Sequence, residues 1–221
     1  MAWAVVTIGT YLGAVRLHRR ARAWWSSPLL LTWLLCGALI LVSRSSYGDY
    51  LSGTQWLGAL LGPATVAFAI PIHENRGVIA RHWGLLVIGT LAGSALAFGS
   101  AWGLAHLFHL SPELQASLLP RSISTPFAIA ASQDLGGLPE LTAAFTAVTG
   151  IFGATVGEAL LTWLPLRSSF ARGALLGMGA HGAGVAKARE LGEEEGVVAS
   201  LIMIFAGVLN VCIAACVSHP A

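Results

Sequence analysis

The sequence predicts an all-α, polytopic membrane helical bundle of about seven or eight spans, with broken helices and a probable internal repeat. Three observations predict it. The 221 residues are 56% hydrophobic and only 10% charged, with mean hydropathy +0.74. Soluble domains carry about 25% charged residues. The charges gather between apolar runs of membrane length, as they do when the runs lie in lipid. Three of those runs are interrupted, at 57–72 (LGALLGPATVAFAIPI), 118–131 (LLPRSISTPFAIAA) and 173–186 (GALLGMGAHGAGVA). Proline removes an amide donor and clashes with the preceding turn. Lipid cannot satisfy freed backbone groups, so such breaks survive only where protein buries them or where they line a polar cavity.

Roughly 20 apolar residues cross a bilayer as a helix. Candidate spans fall near 2–15, 28–43, 56–72, 83–108, 116–132, 141–164, 172–187 and 196–217. The first is short. Its basic flank (Arg16, Arg19, Arg20, Arg22) follows the apolar run instead of preceding it, unlike a cleaved signal peptide. That flank reads as cytoplasmic. With eight full crossings Arg76, Arg81, Lys187 and Arg189 share its side, whereas Arg44, Arg167 and Arg172 fall outside. A re-entrant segment reverses everything after it. Trp24, Trp25, Trp56, Trp83 and Trp163 read as interfacial anchors.

The whole chain, 1–221, reads as one transmembrane domain. GALLG occurs at 58–62 and again at 173–177, and at that offset 28–43 falls on 143–158 and 83–108 on 198–221. This favours repeat halves 1–110 and 116–221. Duplicated halves with interrupted segments point to a transporter's binding site.

In 118–126, Pro120 and Pro126 bracket Arg121, Ser122, Ser124 and Thr125. A helix starting there offers free amides and the positive end of its dipole to a carboxylate. Arg121 can add a bidentate grip. The bland alternative is that Ser and Thr satisfy the broken backbone while Arg121 snorkels to the interface. In 177–188, Gly177, Gly179, Gly182 and Gly184 surround His181. Such a segment allows close approach to a ligand, and His181 can donate to an anion or carry a coupled proton. Its bland alternative is tight helix packing with His181 bonded to a carbonyl. In 61–71, Pro63 kinks the chain, and Thr65 either touches substrate or caps a freed carbonyl. Glu158 is a second candidate for proton coupling, set against a place near a span end, paired with Arg167 or Arg172. Asn210 more often bridges helices than binds ligand. Glu193, Glu194 and Glu195 read as a solvated loop or a helix N-terminus.

Other classes find little support. Cys36, Cys212 and Cys216 lie in apolar runs without paired spacing. No metal-ligand spacing, nucleophile elbow or dinucleotide fingerprint occurs, so neither an enzyme, a cofactor nor a metal is expected. No basic stripe suggests nucleic acid.

The motifs LLGPATVAFAIP, LLPRSISTPFAIA and ARGALLGMGAHGAGVAKARELGEEEGVVASL, in that order, closely resemble the LrgB/CidB family of bacterial membrane proteins, from about residue 28 to the C-terminus. The resemblance implies a multi-pass protein of the bacterial cytoplasmic (inner) membrane, with a fold akin to elevator-type transporters. It carries two functional descriptions. One is antiholin-like control of murein hydrolase export and cell lysis, with a small LrgA/CidA-type membrane partner. The other is transport of small carboxylates. A related plant chloroplast protein is described as a glycolate/glycerate transporter, and bacterial members are linked to pyruvate. By this likeness Pro63, Thr65, Arg121, Ser122, Ser124, Thr125, Pro126, His181 and Gly182 fall on the motifs that map to a substrate site. Glu158 stands where an apolar residue or proline is expected in relatives. The leading expectation is a secondary carrier of small 2-hydroxy or 2-oxo monocarboxylates, working as a homo-oligomer in the bilayer.

Overall fold

A computed structural model describes residues 2–21 and 26–218. Arg22, Trp24 and Trp25 lie outside the described residues. The described chain is helical, without strands: α1 (Ala2–Ala21), α2 (Pro28–Ser43), α3 (Tyr47–Ala59), α4 (Leu61–Ala67), α5 (Ala69–Glu74), α6 (Arg76–Leu107), α7 (Pro112–Leu118), α8 (Thr125–Asp134), α9 (Pro139–Trp163), α10 (Ser169–Leu191) and α11 (Glu193–Ser218).

Proline starts helices here more than it ends them. Pro28, Pro112, Pro126 and Pro139 occupy N1 or N2, where no amide is needed. Ser46 and Asp49 close a capping box on α3, and Ser168 Oγ accepts from the Ala171 amide at 3.0 Å to start α10. Four stretches are long and apolar enough to cross a bilayer: Tyr47–Glu74, Arg76–Leu107, Pro139–Trp163 and Glu193–Ser218.

Packing divides the chain into two compact units, Met1–Ala64 and Thr65–Ala221. In the first, α1 packs on α2 and α3. Thr7 Oγ1 meets the Tyr50 hydroxyl at 3.2 Å, and Trp3 stands edge-on to Tyr50.

In the second unit α11 is the core. Val198, Leu201, Ile202 and Ile204 are almost fully buried. Helix α6 runs parallel to it, with Leu86 in one cluster with Val198 and Ile202, and Ser94 bonded to Asn210. Helix α9 runs the opposite way.

Two expected crossings do not cross. Helix α10 folds back on itself at His181, whose φ is 38° and ψ −118°. A Cβ on Gly184 would overlap the Leu176 carbonyl, eight residues earlier, which a straight helix holds about 12 Å away. Leu176 and Val185 share a cluster with Met203 and Ile204. The descending arm, 169–180, is parallel to α11. Gly173 lies against Glu195 and Gly177 against Ala199. The returning arm, 182–191, brings Arg189 to Gly196. The candidate span 172–187 is therefore a re-entrant hairpin. The reason is the backbone turn at His181 together with Gly184, whose missing side chain lets the arms touch.

The candidate span 116–132 is corrected in the same way. Leu138 donates its amide to Ser117 Oγ at 2.8 Å, so the end of α7 lies level with the start of α9. Thr125, however, lies level with Thr146. From 117 the chain climbs through the irregular residues 119–124, and α8 then descends along α9. This second hairpin enters from the opposite side of the unit.

The hairpins remove the charge conflict seen in the sequence. Arg76, Arg81, Arg167, Arg172, Lys187 and Arg189 all gather at one end of the unit, whereas Arg121 alone of its Lys and Arg residues sits at a hairpin tip. That end reads as cytoplasmic. The re-entrant case, not eight full crossings, thus puts Arg167 and Arg172 at the same end as Lys187 and Arg189. The exposed Trp83 and Trp163 sit at the same end, as interfacial anchors do.

At the GALLG offset the helices of the two proposed halves correspond in order. Their paths differ, since α3–α5 runs on through its kinks where α10 turns back.

Candidate functional site

The two hairpin tips meet at the middle of α9. The wall they meet is a stripe of small and hydroxyl residues on that helix: Thr142, Thr146, Gly150, Gly153 and Gly157. Thr142 Oγ1 donates to Ser132 Oγ of α8 at 2.6 Å, and Thr125 and Thr146 share a hydroxyl bond of 3.2 Å. These bonds seat the outer hairpin. A Cβ on Gly153 would strike the Gly179 carbonyl, and one on Gly157 would lie 2.9 Å from Leu176 Cδ2. This bare backbone seats the α10 hairpin.

His181 sits at that hairpin's tip with 6% of its surface exposed. A Cβ on Gly150 would stand 2.7 Å from its Cε1. The ring donates to the Thr146 main-chain carbonyl. Nε2 is buried without a partner among the described residues, so Nδ1 is the donor and the bare Nε2 is an acceptor. A buried unpaired acceptor beside a strained backbone is a mark of functional sites.

Between the tips and α9 lies a groove of about 400 Å³. Its polar groups are Arg121, Ser122 and Thr149, with Gly153 and Gly179 giving backbone walls. Val148, Phe152, Val156, Leu160 and Leu175 supply the apolar surface. Arg121 reaches Ser100 Oγ only at 3.5 Å. The ion pairs among the described residues are Arg172–Glu195, Lys187–Glu158 and Lys187–Glu190, so none engages Arg121.

The expected site residues divide. Arg121 and Ser122 line the groove together, facing Gly179 of the glycine motif. Ser124 and Thr125 do not line it: Ser124 is buried at the N-cap of α8, and Thr125 is turned to Thr146. Pro126 is half-buried in the first turn of α8. His181 lies behind Gly150, not in the lining, and Gly182 after it is exposed. Pro63, exposed in α4, belongs to the first unit, and Thr65 is half-buried at the start of the second.

Two further expectations change and a third, Asn210, is met. Glu158 pairs with Lys187 at 2.8 Å, not with Arg167 or Arg172, because the returning arm of α10 carries Lys187 back to α9. Of the three glutamates opening α11, Glu193 and Glu194 are exposed, but Glu195 is buried and accepts from Arg172 Nε at 3.1 Å. Asn210 bridges helices, donating to Ser94 Oγ at 3.0 Å. The α9 stripe escaped the sequence reading. Its signal was there, small residues every three or four positions, but Ala and Gly abound throughout this chain.

A helical unit with bilayer-length apolar helices and two opposed hairpins defines the class of polytopic helical membrane proteins. The chain matches the LrgB-like family over residues 7–219 and belongs to it. It is 36% identical to the uncharacterized protein YwbG of Bacillus subtilis, covering 95% of this chain and 93% of that one. It is 31% identical to the holin-like protein CidB of Staphylococcus epidermidis, over 93% and 90% of the two chains. To the antiholin-like protein LrgB of Bacillus subtilis it is 29% identical, over 95% and 89%. No solved structure matches the chain.

Proposed function

We propose that this protein carries a small monocarboxylate across the bilayer. The observation that supports it is Arg121, a guanidinium without an anion partner among the described residues, held at a hairpin tip in the groove. The carboxylate pairs with Arg121 and takes a hydroxyl from Ser122. The groove's backbone walls, Gly153 and Gly179, let it approach closely. His181, with its bare Nε2, is the group we assign to proton coupling. Glu158, engaged with Lys187, is not. Access alternates as one hairpin tip yields and then the other. No catalytic step is proposed.

The test is counterflow of labelled glycolate, glycerate or pyruvate into liposomes holding the pure protein. Saturable flux, lost in Arg121→Gln, is the expected result. No flux for any of the three would overturn the reading.

A second reading is antiholin-like or holin-like control of lysis with a small LrgA/CidA-type membrane partner. Its similarity to a holin-like and an antiholin-like protein favours it, and speaks for it more directly than for carboxylate transport. Arg121→Gln separates the two. A lysis regulator that assembles normally keeps its effect on autolysis when the groove loses its cation, whereas a carrier does not.

A further inference from the structure

We propose that the outer face of α1 is a docking surface for anionic phospholipid, with Arg16, Arg19 and Arg20 taking the headgroup phosphates. The inference concerns the first unit alone and stands apart from the carrier reading.

Charge in that unit is segregated. Asp49 is its only acidic residue, and Ser46 holds it in the capping box of α3. It lies beside the start of α1, because the next residue, Tyr50, meets Thr7, and Gly53 lies against Trp3. The other end of α1 carries Arg16, Arg19 and Arg20, all exposed. No ion pair among the described residues involves them. His18 turns away from them, with Nδ1 2.8 Å from Ser26 Oγ. In the second unit, by contrast, the cations share their end with Glu74, Glu158, Glu190, Glu193, Glu194 and Glu195, and Arg172 and Lys187 are paired.

Helix phase puts the three arginines on one face. At about 100° per residue, Arg16, Arg19 and Arg20 fall within roughly 100° of arc, on the side that carries Val5 and Leu12. Val5 and Leu12 are exposed, whereas Thr7 and Ala14 lie on the opposite side, toward α2 and α3. The face that meets lipid therefore ends in cations. Depth agrees. The apolar run 2–15 is about 21 Å long, against a hydrocarbon core of about 30 Å. When α1 starts at one interface, Arg16 stands below the other, and Arg19 and Arg20 come about one turn nearer to it. Arginine stems at such a depth extend toward the headgroups. A guanidinium there grips a phosphate through two parallel N–H groups. Phosphatidylcholine brings its own cation to that phosphate. Phosphatidylglycerol leaves the charge uncancelled, and each basic residue at the surface favours such a lipid by about fivefold.

Retention of labelled phosphatidylglycerol against labelled phosphatidylcholine by the pure protein in a non-ionic detergent tests this. The protein should prefer phosphatidylglycerol, and the preference should fall as salt rises. Arg16→Gln combined with Arg19→Gln and Arg20→Gln should lower it roughly fivefold per arginine at low salt. Lysine at the same three positions should keep most of it. Arg44→Gln, at the end of the unit that also holds Asp49, should change it little. Where the triple glutamine variant does not fold, the three single variants carry the same measurement. Equal retention of the two lipids overturns the inference and leaves an acidic protein segment as the counterpart of the cluster. A folded triple variant with undiminished preference overturns it too. Displacement of the lipid by glycerol 3-phosphate at equal concentration would mean a site for a free anion, and likewise defeats the docking surface.

Discussion

The fold-back of α10 is open to a direct test. Its arms, 169–180 and 182–191, are roughly 18 and 15 Å long at about 1.5 Å per residue. The hydrocarbon core is about 30 Å thick. Neither arm can cross it, and both must open to the same side. A continuous α10 of 23 residues would measure about 35 Å and would cross. The two geometries place Ser168 and Leu191 on the same face or on opposite faces. Single cysteines at these positions, in a background with Cys36, Cys212 and Cys216 replaced by serine, distinguish them. In sealed vesicles of one orientation, a membrane-impermeant maleimide should modify both positions from the cytoplasmic side and neither from the other. Labelling of Ser168→Cys and Leu191→Cys from opposite sides would refute the hairpin. With it would fall the grouping of six cations at one end.

Other consequences follow from the same packing. Gly150→Ala puts a Cβ 2.7 Å from His181 Cε1, and thermal unfolding should show a loss of about 1–3 kcal/mol. Thr142→Val removes the donor to Ser132 Oγ and should cost about 1–3 kcal/mol in the same assay. His181→Gly should be more stable than His181→Ala by about 1 kcal/mol or more, because both lack the ring and only glycine accepts φ 38° without strain. Arg172→Ala should lower the melting temperature more than Arg172→Ala with Glu195→Gln, since the single change strands a buried carboxylate.

Much of this was legible in the residues. Low charge and long apolar runs announce membrane helices, and the interruptions at 118–126 and 177–184 mark where the helices break. Arg121 and Ser122 stand out because a cation and a hydroxyl between two prolines interrupt an apolar run, and the structure sets both on the groove. The sequence did not distinguish a kink from a reversal. Pro63 and His181 sit in equally broken stretches, yet the first continues and the second turns back. The difference lies in one dihedral angle and in the contact that Gly184 makes across the hairpin. Thr125 meets Thr146 across the helices, an arrangement invisible in the letters because a hydroxyl that binds a ligand and one that staples two helices look the same there. Glu195 misled for a related reason, since only the third glutamate of its run faces inward, a matter of helix phase.

The paired hairpins also constrain biogenesis. A half-length segment with open backbone groups has no stable place in bare lipid. Helices α6, α9 and α11 can enter the bilayer on their own hydropathy, and their flanking cations orient them. The loops at 119–124 and around 181 must wait until α9 stands ready to receive them. Both hairpins also pack on α11, so the junction of the tips depends on a helix that follows them in the chain.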